Sequence, residues 1–422
     1  VRRIENPKGV WRSAGKSDNF HVTLMRLPYD NAEDFKPFNS EGAWRATIID
    51  GGDDFITLRS TVEGSGSDNA QQTGVKSIEG AGEHPIDFWI DFKGTIPEGA
   101  TPRCAIVRVR YHNYTCEHDI FVRQGYAPIT INGNAESNNN PAWTSYNVYR
   151  FDANNAPVYT KSPLEEGSLF RRGNRTAILA SNNDRSGFTF GVEPTGSFNV
   201  LEFGSATTSQ KTWSQLAPST DDVTNRFKEW SIAGDHERIA TIEDFYTLES
   251  TSIHSNINKA YGVLYGDGAT ETQKSVKEAF GYDHNEDPTN SKKGMRGCFV
   301  FNVNNSRNIF FPIGKSGYGR RKGMTSNGEK VGTLRYAQRT DYYNNDGTGN
   351  IQYVPLFYDL FERPGAIYQC RNRLESTNNE VKNSSAFDIN YFTMGFEGFE
   401  NGASNNNNGS DSDACFIRTV KY

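Results

Sequence analysis

The chain has 422 residues, of which 35% are hydrophobic and 13% aromatic, and its formal net charge is −6. No stretch approaches the roughly 18 consecutive apolar residues that span a membrane as a helix. Lysine and arginine are scattered rather than clustered, which argues against nucleic acid as a partner. The 5 cysteines are too few and too widely spaced for a disulfide scaffold.

The composition predicts a mainly β protein with long polar loops. Aromatic side chains fill the cores between strands, and the 40 glycines suit turns better than helices. At this length we expect two or three domains. The chain begins in the polar segment VRRIENPKG, which is typical of a trimmed mature start.

Residues 1–127 are predicted to form a first, all-β domain. Short runs rich in β-branched and aromatic residues alternate with Gly, Asn and Pro turns, a pattern that indicates a sandwich. His112 to Thr115 supply the turn into the last strand of the domain, which is predicted over 119–124. The runs are WRATIID, DFITLRSTV, HPIDFWIDFKG, RCAIVRVRYH and HDIFVRQG.

The order of these runs resembles a known domain. WRATI, a Gly/Ser/Asn-rich loop, IDFWIDF, a Thr-Pro-Arg turn into CAIVRVRY and a closing IFVRQGY are similar to the BACON domain of Bacteroidetes proteins. The resemblance covers about 40–126, and its most characteristic piece is Val122 to Gly125. It implies an immunoglobulin-like sandwich that acts as a spacer.

A second domain, of the α+β class, is predicted over 141–422, after a polar linker at 128–140. Thr241 is predicted to cap a helix whose Phe245 and Leu248 face inward. Another helix is predicted over about 270–280. The runs GCFVFNVNN and NIFFPIG predict a buried hairpin.

Short motifs in this second part resemble the paralogous surface-protein domains of Bacteroidetes and Fibrobacter. Those domains have the C-type-lectin-like fold that formylglycine-generating enzymes share. The motifs, in chain order, are Asn147-Val148, Glu166-Gly167-Ser168-Leu169-Phe170, Arg238-Ile239-Ala240-Thr241, Phe310-Phe311-Pro312 followed by Gly319-Arg320, Gly365-Ala366-Ile367-Tyr368, and Cys415-Phe416-Ile417-Arg418-Thr419-Val420-Lys421.

This resemblance implies a location and a mode of action. Variable proteins that are diversified by retroelements use the same fold, and their variable region is C-terminal. The Asn-rich segment 332–422 looks like such a region. The resemblance therefore implies an exported protein of the cell surface or outer membrane. It would be a lipoprotein that contacts the membrane only through a lipid anchor, and the segment carrying that anchor would have been removed from this sequence.

Enzyme chemistry finds little support in the sequence. The 7 histidines lack HxH or HxxxH spacing, and Gly314-Lys315-Ser316 is not a phosphate loop because Ile309 stands where the first glycine belongs. Cys370 and Cys415 are too far apart for the cysteine pair of formylglycine-generating enzymes, and the Ca²⁺ motifs of animal C-type lectins are missing. We expect no catalytic residues, cofactor or metal.

Recognition of a protein or glycan ligand remains, because Tyr offers rigid contact area while Asn and Ser offer versatile hydrogen bonds. The alternatives are a structural or tip subunit of a pilus and, less favoured, a formylglycine-generating type of enzyme. The predicted ligand-binding residues are Tyr342, Tyr343, Asn344, Asn345, Tyr353, Tyr358, Gln369, Arg371, Asn372, Arg373, Asn378, Asn379 and Tyr391.

The strand PGAIYQCRNR is predicted at the centre of this surface. Period-2 alternation puts Ile367, Gln369, Arg371 and Arg373 on one face of the strand. Because unpaired arginines are too costly to bury, the later half of this face must meet solvent or a ligand.

Two further expectations concern the ends of the second domain. The runs 144–151 and 415–422 both have strand character, and the resemblance implies that they lie side by side. Cys370 and Cys415 are the one pair considered for a disulfide.

Overall fold

The structure is a computed structural model. The residues that it describes are 2–3, 8–26, 36–61, 72–171, 174–180, 196–216, 232–233, 236–248, 256–269, 294–312, 343–345, 351–353, 365–373, 384–390, 394–397 and 414–422.

The described residues form a mainly β protein with several sheets and almost no helix. Their helices are α1 (Ile242–Tyr246) and the 3₁₀ turn Ser214–Leu216. The helix predicted over about 270–280 lies outside the described residues. Two compact units are present: unit 1 consists of Val1–Ser145, Ser162–Leu164 and Leu248–Pro312, and unit 2 of Tyr146–Lys161, Glu165–Thr247 and Ile313–Tyr422.

The strands are short and are numbered along the chain. The first are β1 (Arg2–Arg3), β2 (Lys8–Arg12), β3 (Phe20–Thr23), β4 (Met25–Arg26), β5 (Lys36–Pro37), β6 (Trp44–Ile48), β7 (Ile56–Ser60), β8 (Ser77–Gly80), β9 (Asp87–Phe92), β10 (Arg103–Tyr111) and β11 (Cys116–Gln124). The middle strands are β12 (Ala142–Phe151), β13 (Pro157–Tyr159), β14 (Ser168–Arg171), β15 (Ala177–Leu179), β16 (Ser197–Leu201), β17 (Thr208–Thr212) and β18 (Glu237–Ile239). The last are β19 (Ile257–Tyr265), β20 (Met295–Asn302), β21 (Asn308–Pro312), β22 (Tyr343–Asn345), β23 (Ile351–Tyr353), β24 (Gly365–Arg373), β25 (Ser384–Asn390), β26 (Met394–Glu397), β27 (Ala414–Cys415) and β28 (Arg418–Lys421).

Unit 1 is built on a nine-stranded sheet in the order β21-β20-β19-β2-β11-β10-β6-β8, with β1 also pairing with β11. Strand β2 lies between β11 and β19 and runs parallel to both. The predicted hairpin is confirmed as β20 and β21, which pair antiparallel. It extends this sheet, so 248–312 cluster with the N-terminal part of the chain and not with the segment after it.

A three-stranded sheet, β3-β9-β7, completes the core of unit 1. Strand β9 shows the expected alternation, since Phe88, Ile90 and Phe92 are buried while the residues between them are partly exposed. Trp44 of β6 stacks on Phe88 with ring centroids 6.2 Å apart, so the two sheets meet through their apolar faces. The strands predicted for this part of the chain are confirmed.

Arg123 and Gln124, at the end of β11, are fully buried and tie several segments together. The Arg123 guanidinium donates to the carbonyl oxygens of Gly125 and Ala127 at 3.0 and 2.7 Å, and to that of Asn308 at 2.9 Å. Gln124 Nε2 donates to Lys16 O at 2.6 Å. Because a buried charge needs such partners, the Val-Arg-Gln-Gly motif has a structural role in unit 1.

The segment predicted as a linker also packs into unit 1. Ile129 and Ile131 are 2% exposed, and Ile129 and Trp143 exchange backbone hydrogen bonds of 3.1 and 2.9 Å. Arg307 Nη1 donates to Thr130 O at 3.0 Å. The sequence indicated a linker because this segment is mostly polar. Its few isoleucines are nevertheless buried, and they fix the segment in place.

Unit 2 contains several smaller sheets. Their orders are β13-β12-β28-β18, β17-β16-β15-β14-β27, β24-β25-β26 and β22-β23. Part of β12 belongs to this unit, beginning at Tyr146. The apolar core of the unit brings together buried residues from β12, β14, β15, β16, β18 and the C-terminal segment, namely Val148, Phe151, Phe170, Ala177, Leu179, Leu201, Ile239 and Ile417.

Candidate functional site

The C-terminal segment 414–421 is the element that joins the sheets of unit 2. Cys415 pairs with Phe170 of β14, and Phe416 O accepts from Gln369 N of β24 at 2.9 Å. Ile417 O accepts from Val148 N of β12 at 3.0 Å. The predicted proximity of 144–151 and 415–422 is therefore confirmed, and β28 lies between β12 and β18.

A buried polar network lies where these strands meet. Arg418 is fully buried, and its Nε donates to Asn147 Oδ1 at 2.8 Å. Asn147 Nδ2 donates to Glu166 O at 2.7 Å and to the Tyr368 hydroxyl at 3.1 Å. The Asn147 amide thus connects β12, β24, β28 and the turn before β14, and its donors and acceptor all have partners, as a buried amide requires.

Burial sets the electrostatics of this network. It raises the pKa of Tyr368 to about 12, although the charge of Arg418 and the hydrogen bonds from Asn147 and Arg418 act in the opposite direction. Burial also lowers the pKa of Arg418, against the stabilising effect of Tyr368. Tyr368 therefore stays a neutral hydroxyl at physiological pH, and it accepts the hydrogen bond from Asn147 Nδ2.

The helix predicted at Thr241 is confirmed and is capped as expected. Thr241 Oγ1 accepts from Asp244 N at 3.1 Å, while Asp244 Oδ2 accepts from Thr241 N at 2.9 Å, which is a capping box. Phe245 and Leu248 are fully buried, as predicted.

Asp244 also anchors β18 through a buried ion pair with Arg238. Arg238 Nε and Nη2 donate to its two carboxylate oxygens at 3.0 and 2.6 Å. Burial acts to lower the pKa of Arg238, but the hydrogen bonds and charge of Asp244 outweigh it and raise that pKa. The Arg238 guanidinium also lies 4.4 Å from the centroid of the Tyr422 ring. This ion pair fixes the loop between β18 and α1, and the backbone of that loop is hydrogen-bonded to β24.

The register of strand β24 with β25 shifts between Gln369 and Arg373, the stretch that contains Arg371. The pairing is regular up to Gln369, which pairs with Ala386, and then shifts before Arg373, which pairs with Ser384. Arg371 lies between them and is partly exposed, and its N–H donates to Ala240 O at 2.9 Å. Bulges are one cause of such a shift, and they re-aim side chains and are frequent beside binding sites.

The register shift and the packing alter the predicted alternation in this strand. Tyr368, Gln369 and Cys370 are all buried, at 0, 3 and 1% exposure. Gln369 Nε2 donates to Phe170 O at 3.1 Å, so its amide is engaged inside unit 2. The expectation that Gln369 shares an exposed face with Arg371 is wrong, because consecutive residues from Tyr368 to Cys370 are all buried where β24 pairs with Phe416 of the C-terminal segment.

The other predicted site residues fall into two groups. Tyr343, Asn344 and Asn345 form β22, and Tyr353 lies in β23 directly opposite Tyr343. Asn372 and Arg373 end β24. The structure thus brings Gln369, Arg371, Asn372 and Arg373 onto one strand. The predicted residues Tyr342, Tyr358, Asn378, Asn379 and Tyr391 lie outside the described residues, as does Gly314-Lys315-Ser316.

Sequence reasoning missed Asn147, Tyr368 and Arg418 as a unit of interacting side chains. A signal was present, since each belongs to one of the motifs that carry the second resemblance, and Arg418 interrupts an otherwise apolar run. Another motif behaves differently: Phe310-Phe311-Pro312 ends β21 of unit 1. Its aromatic rings are fully buried there.

The disulfide considered between Cys370 and Cys415 is not formed. Both residues are 1% exposed, and none of Cys104, Cys116, Cys298, Cys370 and Cys415 takes part in a disulfide. Burial raises the pKa of Cys104, so this thiol behaves as a small apolar side chain. Pairing was considered because both late cysteines lie in strands of one region. Cys370 lies in β24, however, whereas Cys415 lies in β27, which pairs with β14.

Among the described residues no group of three or more His, Cys, Asp and Glu side chains could hold a metal ion. A search of the same residues finds no helix long and apolar enough to cross a membrane. No model of a protein family and no curated protein matches this chain.

Proposed function

We propose that this chain is a bacterial cell-surface receptor or adhesin that binds a protein or glycan ligand with the late strands and polar loops of unit 2. In this proposal residues 1–127 are an immunoglobulin-like spacer related to BACON domains. The C-type-lectin-like fold, predicted from 141 onward, is assigned to unit 2, because 248–312 pack in unit 1, and 332–422 is its ligand-binding, retroelement-diversified region. The protein is exported and held at the outer membrane by a lipid anchor.

The observation that carries the proposal is the position of Arg371. It is a partly exposed arginine where the register of β24 shifts, and its backbone is fixed by the hydrogen bond from its N–H to Ala240 O at 2.9 Å. The residues just before it are buried and anchored, Tyr368 through Asn147 and Gln369 through Phe170. A binding side chain loses least entropy when the backbone beneath it is already held in place.

Buried, hydrogen-bonded residues hold strand β24 in place, so the loops of the proposed surface can change in sequence without loss of the fold. Asn147, Tyr368, Arg418 and the Arg238–Asp244 pair are buried and hydrogen-bonded to one another or to the backbone. Rigid elements that present variable loops are the usual design of adaptable binding proteins. Recognition by Tyr, Asn and Arg from these loops needs neither cofactor nor metal.

The experiment that tests the proposal screens the purified chain on glycan arrays and on arrays of extracellular proteins. The variants Arg371→Ala and Arg373→Ala are screened in parallel, with Arg150→Ala on β12 as a matched control, because Arg150 is also a partly exposed arginine of unit 2. We expect hits that weaken in the first two variants and persist in the control. Hits that all three variants retain would place binding elsewhere on the chain.

A further inference from the structure

We propose a mechanical function for unit 1: strand β2 acts as a clamp that resists tension applied on its N-terminal side. This inference concerns residues 8–12 and their neighbours, and it does not depend on the ligand of unit 2.

The geometry of β2 is the first step. Lys8–Arg12 pairs with Ile120–Gln124 of β11 on one side, and Lys8–Val10 pairs with Val263–Tyr265 of β19 on the other, parallel in both cases. Arg2 and Arg3 continue the parallel pairing, opposite Cys116 and Glu117. A strand bonded on both edges can leave its sheet only when both ladders break.

The direction of the load is the second step. In a parallel pair, tension on the N-terminal end of one strand and the C-terminal end of the other pulls the strands past each other along their length. The inter-strand hydrogen bonds then bear the load together. Tension applied at matching ends opens the bonds one after another, so each carries the load alone. β2 and β11 meet the first condition when tension acts before Lys8 and after Gln124.

Side chains also fix the end of β2 that lies farthest from the load. Arg12 is fully buried, and its Nη1 donates to Gly266 O at 2.7 Å. Ser13 N and Ser13 Oγ donate to the two carboxylate oxygens of Asp267 at 2.9 and 2.6 Å. The Trp11 indole N–H donates to Asn308 Oδ1 at 2.8 Å.

The packing of β2 adds to this resistance. Trp11 belongs to the apolar cluster of unit 1 together with Phe121, Phe299 and Phe310, and the Arg123 guanidinium lies 4.6 Å from the centroid of its ring. Sliding β2 by one residue would move Trp11 to the opposite face of the sheet, away from this cluster. The clamp therefore combines two ladders of backbone hydrogen bonds, buried aromatic packing and a stop, which is the set of side-chain hydrogen bonds at the far end of β2.

Single-molecule force spectroscopy on the full chain tests this inference directly. One handle is placed in the exposed turn at Glu136 and the other either at the N-terminus or at the exposed Lys16, just after β2. Both handle pairs load unit 1 of the same sequence, so equilibrium stability is matched. Forced unfolding depends on the unfolding rate along the pulled direction, not on that stability.

We expect a rupture force several-fold higher for the N-terminal handle than for the Lys16 handle. A third measurement uses Ser13→Ala with the N-terminal handle, which removes one contact of the stop, and it should lower the rupture force while the chemical unfolding midpoint changes little. Equal forces in the two handle geometries would overturn the inference, and so would a lower force for the N-terminal handle.

Discussion

Arg418 and Asn147 lie at opposite ends of unit 2 in sequence, yet Arg418 Nε donates to Asn147 Oδ1 at 2.8 Å inside its core. This contact closes unit 2 on itself, because β12 near its start and β28 at its end become neighbours in one sheet. The same Asn147 amide reaches Tyr368 on β24. The strand proposed to carry the ligand-binding surface is thus fixed by residues far from it in sequence.

Deleting residues 415–422 should unfold unit 2 rather than trim it. The deletion removes β28 and the buried Phe416, Ile417 and Val420, and it leaves the edges of β12 and β18 unpaired. Hydrogen exchange of the strands of unit 2 measures the effect, and we expect their protection to be lost. Lys421→Ala is the control, because Lys421 is exposed. Protection that survives the deletion would refute the role of this segment.

Tyr368→Phe should destabilise the chain near neutral pH. The variant leaves a donor of the buried Asn147 amide without its acceptor, which costs about 1–3 kcal/mol. Chemical unfolding monitored at fixed pH measures this cost. Tyr149→Phe serves as the matched control, because Tyr149 is 36% exposed, and it should cost far less.

The wild type and Tyr368→Phe should also differ in how their free energy of unfolding changes at alkaline pH. Folding raises the pKa of Tyr368 from 10.0 to about 12, so the unfolded chain loses this proton first as pH rises. The stability that Tyr368 contributes is therefore complete below pH 10 and declines as pH rises toward 12, by roughly 1.4 kcal/mol per pH unit. The stability advantage of the wild type over Tyr368→Phe should shrink across this range. An advantage that stays constant would contradict the buried, neutral state of Tyr368.

Arg123→Lys should destabilise unit 1 although it keeps the charge. Arg123 serves four acceptors from a planar fork, including Ser145 Oγ at 2.7 Å, and a lysine ammonium cannot reproduce that geometry. We expect a loss of about 2–4 kcal/mol in the free energy of unfolding. Arg110→Lys is the control, because the Arg110 side chain is 48% exposed. Similar losses in both variants would show that the buried fork is unimportant.

The sequence predicted local structure well and long-range packing poorly. Thr241, Asp244 and Phe245 carried enough local information to place a capped helix, and the strands of the first part followed from alternation and turn residues. The pairing of β19 with β2 had no such signal, because the partners are far apart in the chain and any apolar strand of suitable length fits.

The candidate site shows the same limit. Alternation predicted the exposure of Arg371 but also that of Gln369, since a period of two cannot foresee a register shift or a distant segment that pairs with the strand. The motifs pointed to Asn147, Tyr368 and Arg418 one by one, but nothing in the sequence showed that residues so far apart meet in one polar network. The assignment of the loop residues to a ligand-binding surface remains a prediction.

The central claim, that the end of β24 binds the ligand, is tested most directly by the affinity of the double variant Arg371→Ala, Arg373→Ala for a ligand found on the arrays. Isothermal titration at fixed salt compares it with the wild type and with Arg150→Ala, and melting temperatures confirm that all three fold. Because arginine is enriched among residues that dominate binding, we expect a loss of about 2–4 kcal/mol in the double variant and an unchanged melting temperature. Unchanged affinity in a folded double variant would contradict the account.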